Sequence, residues 1–163
     1  MDKVSIFVDV QNVYYTARQQ HNCHFDYNNF WMEVTSGREL AKAIAYATDK
    51  GDNKQVNFQH ILRKIGFEVK LKPFIQRSDG STKGDWDVGI AMEMVEQAKL
   101  VDLIVLASGD GDFTSVVDKI TGEFSIPVEI YGVRELTAAS LMQSATRFIP
   151  IEGNLLLPIP KTW

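Results

Sequence analysis

The sequence contains only one cysteine, Cys23, among its 163 residues. An internal disulfide is therefore excluded, and such sparse cysteine usage is typical of a reducing compartment. The sequence also lacks any apolar run close to the ~18 residues that a membrane-spanning helix needs. Its first residues enter a strand pattern directly, with no signal-peptide region ahead of them. We therefore expect a cytoplasmic protein with no membrane partner.

Positive charge is also in short supply, because 17 basic residues face 21 acidic ones and give a net charge of −4. A basic pI is the usual mark of a nucleic-acid binder, so the total charge alone disfavours that class. The distribution indicates otherwise. Residues 38–83 hold ten basic and five acidic residues, a local balance of +5 that leaves −9 for the rest of the chain. The basic middle and the acidic flanks need one explanation.

The length and the 45% hydrophobic content predict one globular domain. Short apolar runs typical of strands alternate with segments that lack helix breakers, which predicts βαβ units and a parallel sheet covered on both faces. We therefore expect an α/β domain of three layers. The predicted strands are 4–8, 43–47, 67–74, 102–107 and 127–131, and the predicted helices are 13–20, 53–65, 88–100, 114–121 and 138–144, the last of them before the run 147–149.

Three regions of this pattern carry further expectations. Residues 21–37 are the least regular segment. The helix over 88–100 has apolar residues around much of its circumference, which predicts that it is largely buried. We place the domain at residues 1–150 and a proline- and leucine-rich C-terminal extension at 151–163. The three leucines at 155–157 are expected to cover a sheet edge or a partner chain, which makes a homodimer plausible.

Acidic residues stand where the predicted strands end, which is where parallel sheets bind their ligands. Asp9 ends the first strand, Asp110 and Asp112 follow the most apolar strand, and Asp85 and Asp87 open the helix after the basic segment. Carboxylates gathered at one rim repel one another unless a cation neutralises them. Mg²⁺ or Mn²⁺, which prefer oxygen ligands, would do so.

Each acid also has a plainer interpretation. Asp112 alone fits a helix N-cap, Asp110 a turn residue, and Asp85 a cap or a solvated loop charge. Asp9 is harder to dismiss, because an acid at the end of a buried strand is costly without a partner. The flanking glycines, Gly109 and Gly111, are expected to allow a tight turn beside Asp110. The set of acids favours a metal site more strongly than any member does.

Three segments resemble the signatures of the NYN domain, a branch of the PIN-like nuclease superfamily that includes the bacterial LabA-like proteins. They are Asp9-Val10-Gln11-Asn12, Lys83-Gly84-Asp85-Trp86-Asp87-Val88 and Ser108-Gly109-Asp110-Gly111-Asp112-Phe113. The resemblance spans about residues 3–150 and implies a Rossmann-like, PIN-like fold with a central mainly parallel sheet. It also implies a Mg²⁺- or Mn²⁺-dependent ribonuclease. The implied catalytic and metal residues are Asp9, Asp87, Asp110 and Asp112, assisted by Asn12 and Ser108.

The sequence departs from the expected family pattern at two positions. Trp86 stands between the two acids of the second motif, where a smaller apolar residue is usual, and this change is expected to alter substrate access. Thr146 stands where many relatives carry an acid, which puts any fifth acidic contribution in doubt. Neither departure removes one of the four carboxylates.

The predicted reaction is hydrolysis of a phosphodiester bond in single-stranded or unpaired RNA, with a water activated by one or two carboxylate-bound ions as the nucleophile. In-line attack would leave 5′-phosphate and 3′-hydroxyl ends. The basic middle then gains a role in guiding RNA phosphates to the acidic rim. The residues assigned to RNA binding are Lys83, Trp86, Arg77, Lys72, Arg63 and Lys64, with Tyr14, Tyr15 and Phe74 as further stacking candidates. The plainer interpretation is solvated lysines and core aromatics.

Other functions have less support. A catalytically weak RNA- or protein-binding regulatory module on the same fold is the main alternative. The His21-Asn22-Cys23-His24 run lacks the paired spacing of a zinc site. A phosphatase of the haloacid dehalogenase type needs a second Asp two residues after its nucleophile, and Gln11 occupies that position. No glycine-rich nucleotide-binding motif follows a strand.

Overall fold

Strands and helices alternate through most of the described residues, as the apolar pattern predicts. The computed structural model describes residues 1–49, 51–73, 75–76, 82–83 and 87–160. The elements, in chain order, are β1 Lys3–Asp9, α1 Val10–His21, β2 Cys23–Phe25, α2 Tyr27–Thr35, β3 Glu39–Asp49, α3 Asn53–Ile65, β4 Glu68–Pro73, β5 Ile75–Gln76, β6 Thr82–Lys83, α4 Asp87–Ala98, β7 Leu103–Ala107, α5 Thr114–Glu123, β8 Val128–Gly132, α6 Ala139–Ser144, β9 Arg147–Pro150 and β10 Leu156–Pro158. Short 3₁₀ turns cover Gly111–Phe113, Arg134–Leu136 and Gly153–Leu155.

Six strands form a parallel sheet in the order β4-β3-β1-β7-β8-β9. The strand β1 is central, and its neighbours β3 and β7 follow it in the chain only after helical crossovers. Val4, Ile6 and Val8 of β1 face the layer that contains α1, α2 and α3. Phe7 faces the layer of α4, α5 and α6. The α/β class, with three layers around a Rossmann-like sheet, is therefore confirmed.

The helices α1, α2 and α3 begin at aspartates that act as N-caps. Asp9, Asp26 and Asp52 each accept a hydrogen bond from the backbone N–H three residues later. This satisfies a donor that the first helical turn would otherwise leave unpaired. The predicted helix over 53–65 is confirmed with its predicted end, where Gly66 takes a φ of 136° that L side chains rarely adopt.

The expectation of an irregular segment over 21–37 is wrong. This segment contains β2 and the nine-residue helix α2, whose Tyr27, Phe30 and Val34 are buried. Those positions recur at helical spacing after the N-cap Asp26, so the signal was present in the sequence. Its short length and its polar neighbours concealed the pattern.

The expectation that the helix over 88–100 is largely buried is also wrong. In α4 the side chains of Ile90, Met94 and Ala98 are buried against the sheet. Val88 and Met92, on the other face, are 74% and 66% exposed. A helix that packs on one side of a sheet buries only one stripe of its surface, whatever residues occupy the rest. Among the described residues, no helix combines the length and apolarity needed to cross a membrane.

The C-terminal segment packs on its own chain. Leu156 and Leu157 in β10 pair antiparallel with Phe25 and His24 in β2, and the two strands form a sheet separate from the central one. Ile151 and Leu155 are buried in the core beneath it. The leucines therefore cover β2 rather than an edge of the central sheet, while the homodimer stays a prediction.

Candidate metal centre

Three acidic side chains from separate parts of the chain meet at the carboxyl edge of the sheet. Asp9 ends β1, Asp110 follows β7, and Asp87 is the first residue of α4. One carboxylate oxygen from each lies within 4.8 Å of the other two. Asp9 and Asp110 come together because β1 and β7 are parallel neighbours, with Val8 beside Ala107. The structure therefore brings together three of the four predicted acidic residues.

Hydrogen bonds from the backbone and from one serine orient Asp9 and Asp110. The Asp9 Oδ2 atom accepts from Ser108 Oγ at 3.1 Å, and its Oδ1 accepts weakly from the Asn12 N–H at 3.4 Å. Asp110 Oδ1 accepts from the Asp112 N–H at 2.9 Å. Both carboxylates are thus N-caps as well as candidate ligands, because each retains a second lone pair or oxygen.

Ser108 and Asn12 join the ends of the two strands. The buried Ser108 Oγ donates to Asp9 and accepts from the Asp110 N–H at 3.1 Å, so a single hydroxyl links both carboxylate residues. The Asn12 side-chain oxygen accepts from the Gly109 N–H at 2.8 Å and anchors the β7 loop to α1. The assisting residues predicted from the motifs therefore lie in direct contact with the cluster.

Close packing, rather than backbone freedom, accounts for the glycines beside Asp110. A tight 3₁₀ turn does begin at Gly111, but neither Gly109 nor Gly111 has a positive φ, so the turn does not depend on the left-handed conformation that favours glycine. A Cβ atom on Gly109 would stand 2.9 Å from Thr137 Oγ1, and one on Gly132 would stand 2.5 Å from the same atom. The loop after β8 lies directly against the loop after β7, and only glycine leaves room for that approach.

Asp87 reaches the cluster because α4 is tied to the sheet further along its length. Side chains alternate along β1, so Ser5 and Asp9 share the face that α4 covers. Ser5 Oγ donates to Gln97 Oε1 at 2.7 Å in the buried interior. Glu93 pairs with Lys70 of β4 at 2.5 Å and with Lys42 of β3 at 3.9 Å.

The ion pairs of Glu93 with Lys70 and Lys42 change its pKa. The hydrogen bond from Lys70 lowers the pKa of Glu93, and the positive charges of Lys70 and Lys42 act in the same direction against the opposing effect of partial burial. At neutral pH, Glu93 is therefore a carboxylate that bridges α4 to two strands. Its negative charge is committed to these lysines rather than to the rim of the sheet.

Asp112 lies beside the cluster but outside the group of three. Its side chain is exposed, and its backbone N–H supports Asp110. The N-cap role considered for Asp112 is wrong, because Asp110 caps the 3₁₀ turn and the N-cap of α5 is Phe113, without a side-chain hydrogen bond.

Thr146, the second departure from the family pattern, precedes β9 and lies at the amino ends of the parallel strands, away from the carboxylates. Its hydroxyl accepts from the N–H of Val128, the first residue of β8.

The chemistry of the donor set fits a hard divalent cation. In an octahedral Mg²⁺ site with bonds of about 2.1 Å, adjacent ligands lie about 3 Å apart and opposite ligands about 4.2 Å apart. The three carboxylate oxygens all lie within 4.8 Å of one another, so they surround one small volume. Three carboxylates also supply the negative charge that such an ion neutralises.

The charge of Asp9 also affects the core beneath the cluster. Burial raises the pKa of the Tyr27 hydroxyl, and the nearby Asp9 carboxylate raises it further. Tyr27 is 8% exposed and packs among Phe25, Phe58 and Phe67. The Tyr27 hydroxyl therefore stays neutral in this aromatic packing.

The predicted RNA-binding residues are scattered. Arg63 and Lys64 are exposed in the last turn of α3, which leads into the edge strand β4. Lys72 lies in β4 two residues beyond Lys70 and therefore shares the face that α4 covers. Arg77, Trp86 and the side chain of Lys83 lie outside the described residues, as do Phe74 and Asp85.

Sequence reasoning missed the residues that position α4. Neither Glu93 nor Gln97 belongs to one of the three motifs, although both interrupt an otherwise apolar stripe of α4. A polar residue on the buried face of a helix signals a partner, because burying it unpaired is costly. The identity of the partners, Lys70 and Ser5, depends on the order of the strands in the sheet.

Comparisons with known proteins support one family. The NYN domain model matches residues 3–152. The low amplitude and bright protein LabA of Synechococcus elongatus is 27% identical over 158 residues, which cover 91% of this chain and 83% of LabA. The crystal structure of VPA0982, a protein of unknown function from Vibrio parahaemolyticus, has a TM-score of 0.92 and 50% identity over 96% of both chains. NYN domains are generally nucleases of the PIN-like superfamily. This chain belongs to the NYN domain family and is LabA-like within it.

Proposed function

We propose that this protein is a metal-dependent ribonuclease that hydrolyses phosphodiester bonds in single-stranded or unpaired RNA. The observation that carries the proposal is the meeting of three carboxylates, from Asp9, Asp87 and Asp110, within 4.8 Å at the carboxyl edge of the sheet. Membership of a family of generally nucleolytic domains supports the same activity. The basic residues of the middle segment supply charge for an RNA backbone.

In this proposal Asp9, Asp87 and Asp110 hold Mg²⁺ or Mn²⁺. When bound, a divalent ion polarises the phosphoryl oxygens and lowers the pKa of a nucleophilic water. Ser108 keeps Asp9 turned towards the rim by donating to its Oδ2, and Asn12 holds the β7 loop against α1. Asp112 adds negative charge at the exposed side of the site.

RNA would approach from the β4 side. Lys72 of β4 lies on the same sheet face as Asp9 of β1, and one strand, β3, separates them. Lys83, Arg77 and Trp86 belong to the segment between β4 and α4, which connects that edge to the first turn of α4. We propose that these residues, with Arg63 and Lys64, contact phosphates and bases next to the carboxylates.

The test is cleavage of a labelled single-stranded RNA by the purified protein with Mn²⁺, Mg²⁺ or EDTA. We expect cleavage with either ion and none with EDTA, and products with 5′-phosphate ends. Asp110→Asn should abolish cleavage without unfolding the protein, because the amide oxygen still accepts from the Asp112 N–H. Asp118→Asn, at an exposed acid of α5, is the matched control and should cleave normally.

Two results would reject the ribonuclease. Cleavage that survives EDTA or Asp110→Asn would rule out the carboxylate site. RNA affinity without turnover in either ion would favour the alternative, a regulatory module that binds RNA.

We also propose that the protein forms a homodimer and is located in the cytoplasm. Light scattering on the intact chain tests the dimer, because Ile151 and Leu155 are buried and a shortened chain would lose part of its core.

A further inference from the structure

Two tyrosine rings are exposed on α1, the helix that starts at the carboxylate cluster. Tyr14 is 41% exposed and Tyr15 is 48% exposed, whereas Tyr27, Tyr46 and Tyr131 are buried. The two exposed rings meet nearly at right angles, with centroids 5.3 Å apart and an interplanar angle of 79°. Together with His24, they form what we call the aromatic corner. A ligand that stacks on such exposed rings removes their apolar surface from water, which favours binding.

The ring of Tyr14 is held in place before any ligand arrives. It stacks on His24 with centroids 6.0 Å apart and an interplanar angle of 24°. Arg18 Nη1 donates to the Tyr14 hydroxyl oxygen at 3.2 Å. His24 is itself fixed in β2, where it pairs with Leu157 of the C-terminal strand. A ring fixed on these sides loses little conformational entropy when a second ring stacks on it.

The histidine of the corner is a neutral ring at pH 7. Partial burial lowers the pKa of His24, and the positive charge of Arg18 lowers it further. The positive charge at this place is therefore that of the exposed Arg18 guanidinium, one turn after Tyr14. The corner thus joins flat uncharged rings to one cation, the combination that suits a base and its phosphate.

The aromatic corner lies on the helix whose first turn stands at the carboxyl edge of the sheet. Gln11 accepts a hydrogen bond from Thr48 at 3.4 Å, and Thr48 lies near the end of β3. Residues three and four positions further along a helix lie on the same flank, so Tyr14 and Tyr15 follow Gln11. With a rise of 1.5 Å per residue, Tyr14 lies about 7.5 Å along the helix axis from Asp9.

We propose that the aromatic corner, on the helix that begins at the carboxylate cluster, binds a nucleobase of single-stranded RNA by stacking. This inference rests on the proposed function for the nature of the ligand. Every base presents a π-face, so such a subsite tolerates any sequence. It requires an unpaired base, because a base inside a duplex has both faces covered. Arg18 contacts the phosphate of the same nucleotide.

The experiment measures binding rather than cleavage. A fluorescently labelled oligoribonucleotide is titrated with the protein in EDTA, and its anisotropy gives the affinity. Tyr15→Ala and Tyr14→Ala should each weaken binding about 5- to 100-fold, the loss typical of one stacked base. Tyr15→Phe and Tyr14→Phe keep the rings and should bind within about twofold of the wild type. An abasic oligonucleotide should bind weakly to all five proteins.

Met32→Ala is the matched control, because Met32 is a 68% exposed apolar residue on α2, outside the corner. Its RNA affinity and melting temperature should match those of the wild type. The inference is overturned if the alanine variants bind like the wild type, if the phenylalanine variants lose as much as the alanine variants, or if the wild type does not bind RNA. RNA that binds through the corner but is never cleaved would reject the ribonuclease and keep the corner.

Discussion

Two of the three clustered carboxylates are held differently from the third. Asp9 and Asp110 stand at the ends of neighbouring strands and share the hydroxyl of Ser108 through its two hydrogen bonds. Asp87 is carried on α4, which is fixed to the sheet by Glu93 and Gln97, six and ten residues further along. The strand half of the site is thus set by local contacts, and the helix half by remote ones. Substitutions can separate the two halves.

The largest effect is expected from removing the charge of the helix half. Asp87→Asn should lower the cleavage rate by more than about 100-fold, because even residues behind metal ligands commonly cost 10- to 100-fold. Rates with Mn²⁺ for Asp87→Asn and Asp110→Asn should fall together. If Asp87→Asn cleaves as fast as the Asp118→Asn control, α4 supplies no ligand, and the two halves do not form one site.

The next effect concerns the packing that supports the strand half. Gly132→Ala should destabilise the protein by about 1–3 kcal/mol, because its Cβ would stand 2.5 Å from Thr137 Oγ1. That hydroxyl is buried and donates to the Val133 carbonyl at 2.7 Å, so it cannot simply turn away. Urea unfolding measures the change.

A matched glycine is available in α5. Gly122 has nothing within 4 Å of its Cβ position and no positive φ. Gly122→Ala should therefore stabilise the helix by about 0.5–1 kcal/mol. If Gly132→Ala and Gly122→Ala are equally stable, Gly132 is not required for the close approach to Thr137.

A smaller effect should follow from removing the hydroxyl that links Asp9 to Asp110. Ser108→Ala leaves both carboxylates in place but frees Asp9 to rotate, so we expect about tenfold weaker Mn²⁺ binding. Isothermal titration calorimetry measures this affinity without turnover. Ser115→Ala, at an exposed serine of α5, should bind Mn²⁺ like the wild type. An unchanged affinity for Ser108→Ala would show that the strand half needs no such link.

The smallest effect is expected at the tether of the helix half. Glu93→Gln should lower stability at pH 7 by about 0.5–1 kcal/mol, because partly exposed ion pairs contribute little. The hydrogen bond from Lys70 lowers the pKa of Glu93 in the folded state. The stability that its charge contributes is therefore present above its unfolded pKa, about 4.3, and lost as the pH falls through its lower folded pKa.

Urea unfolding of wild type and Glu93→Gln at neutral and at acid pH checks the sign. The two proteins should differ at pH 7 and converge once Glu93 is protonated in both states. A difference that grows on acidification would mean that Glu93 stabilises the fold in its neutral form, against the direction of its pKa shift.

The sequence predicted the strand half more completely than the helix half. The run from Ser108 to Phe113 and the run from Asp9 to Asn12 are contiguous motifs, and each places its ligand, its cap and its supporting residue within a few positions. For α4, the sequence predicted Asp87 but neither of its tethers. The partners of Glu93 lie 23 and 51 residues away in the chain, on two other strands.

Two wrong expectations have a common physical origin. The helix α2 and the exposed face of α4 were both misjudged from local composition. A helix can form from a short apolar stripe when its N-cap is right, and an apolar helix can remain half exposed when only one layer covers it. Burial depends on what packs against a residue, and local sequence does not specify that.

The sequence by itself determined most strands and helices of the central sheet domain, the acids at the strand ends and the motifs of the NYN domain, because each depends on neighbours within a few residues. Only the tertiary structure decided that three carboxylates converge, that glycines serve a close approach between loops, and that two tyrosines of α1 stand exposed. These features depend on distances between segments far apart in the chain, which are fixed only when the parallel sheet forms.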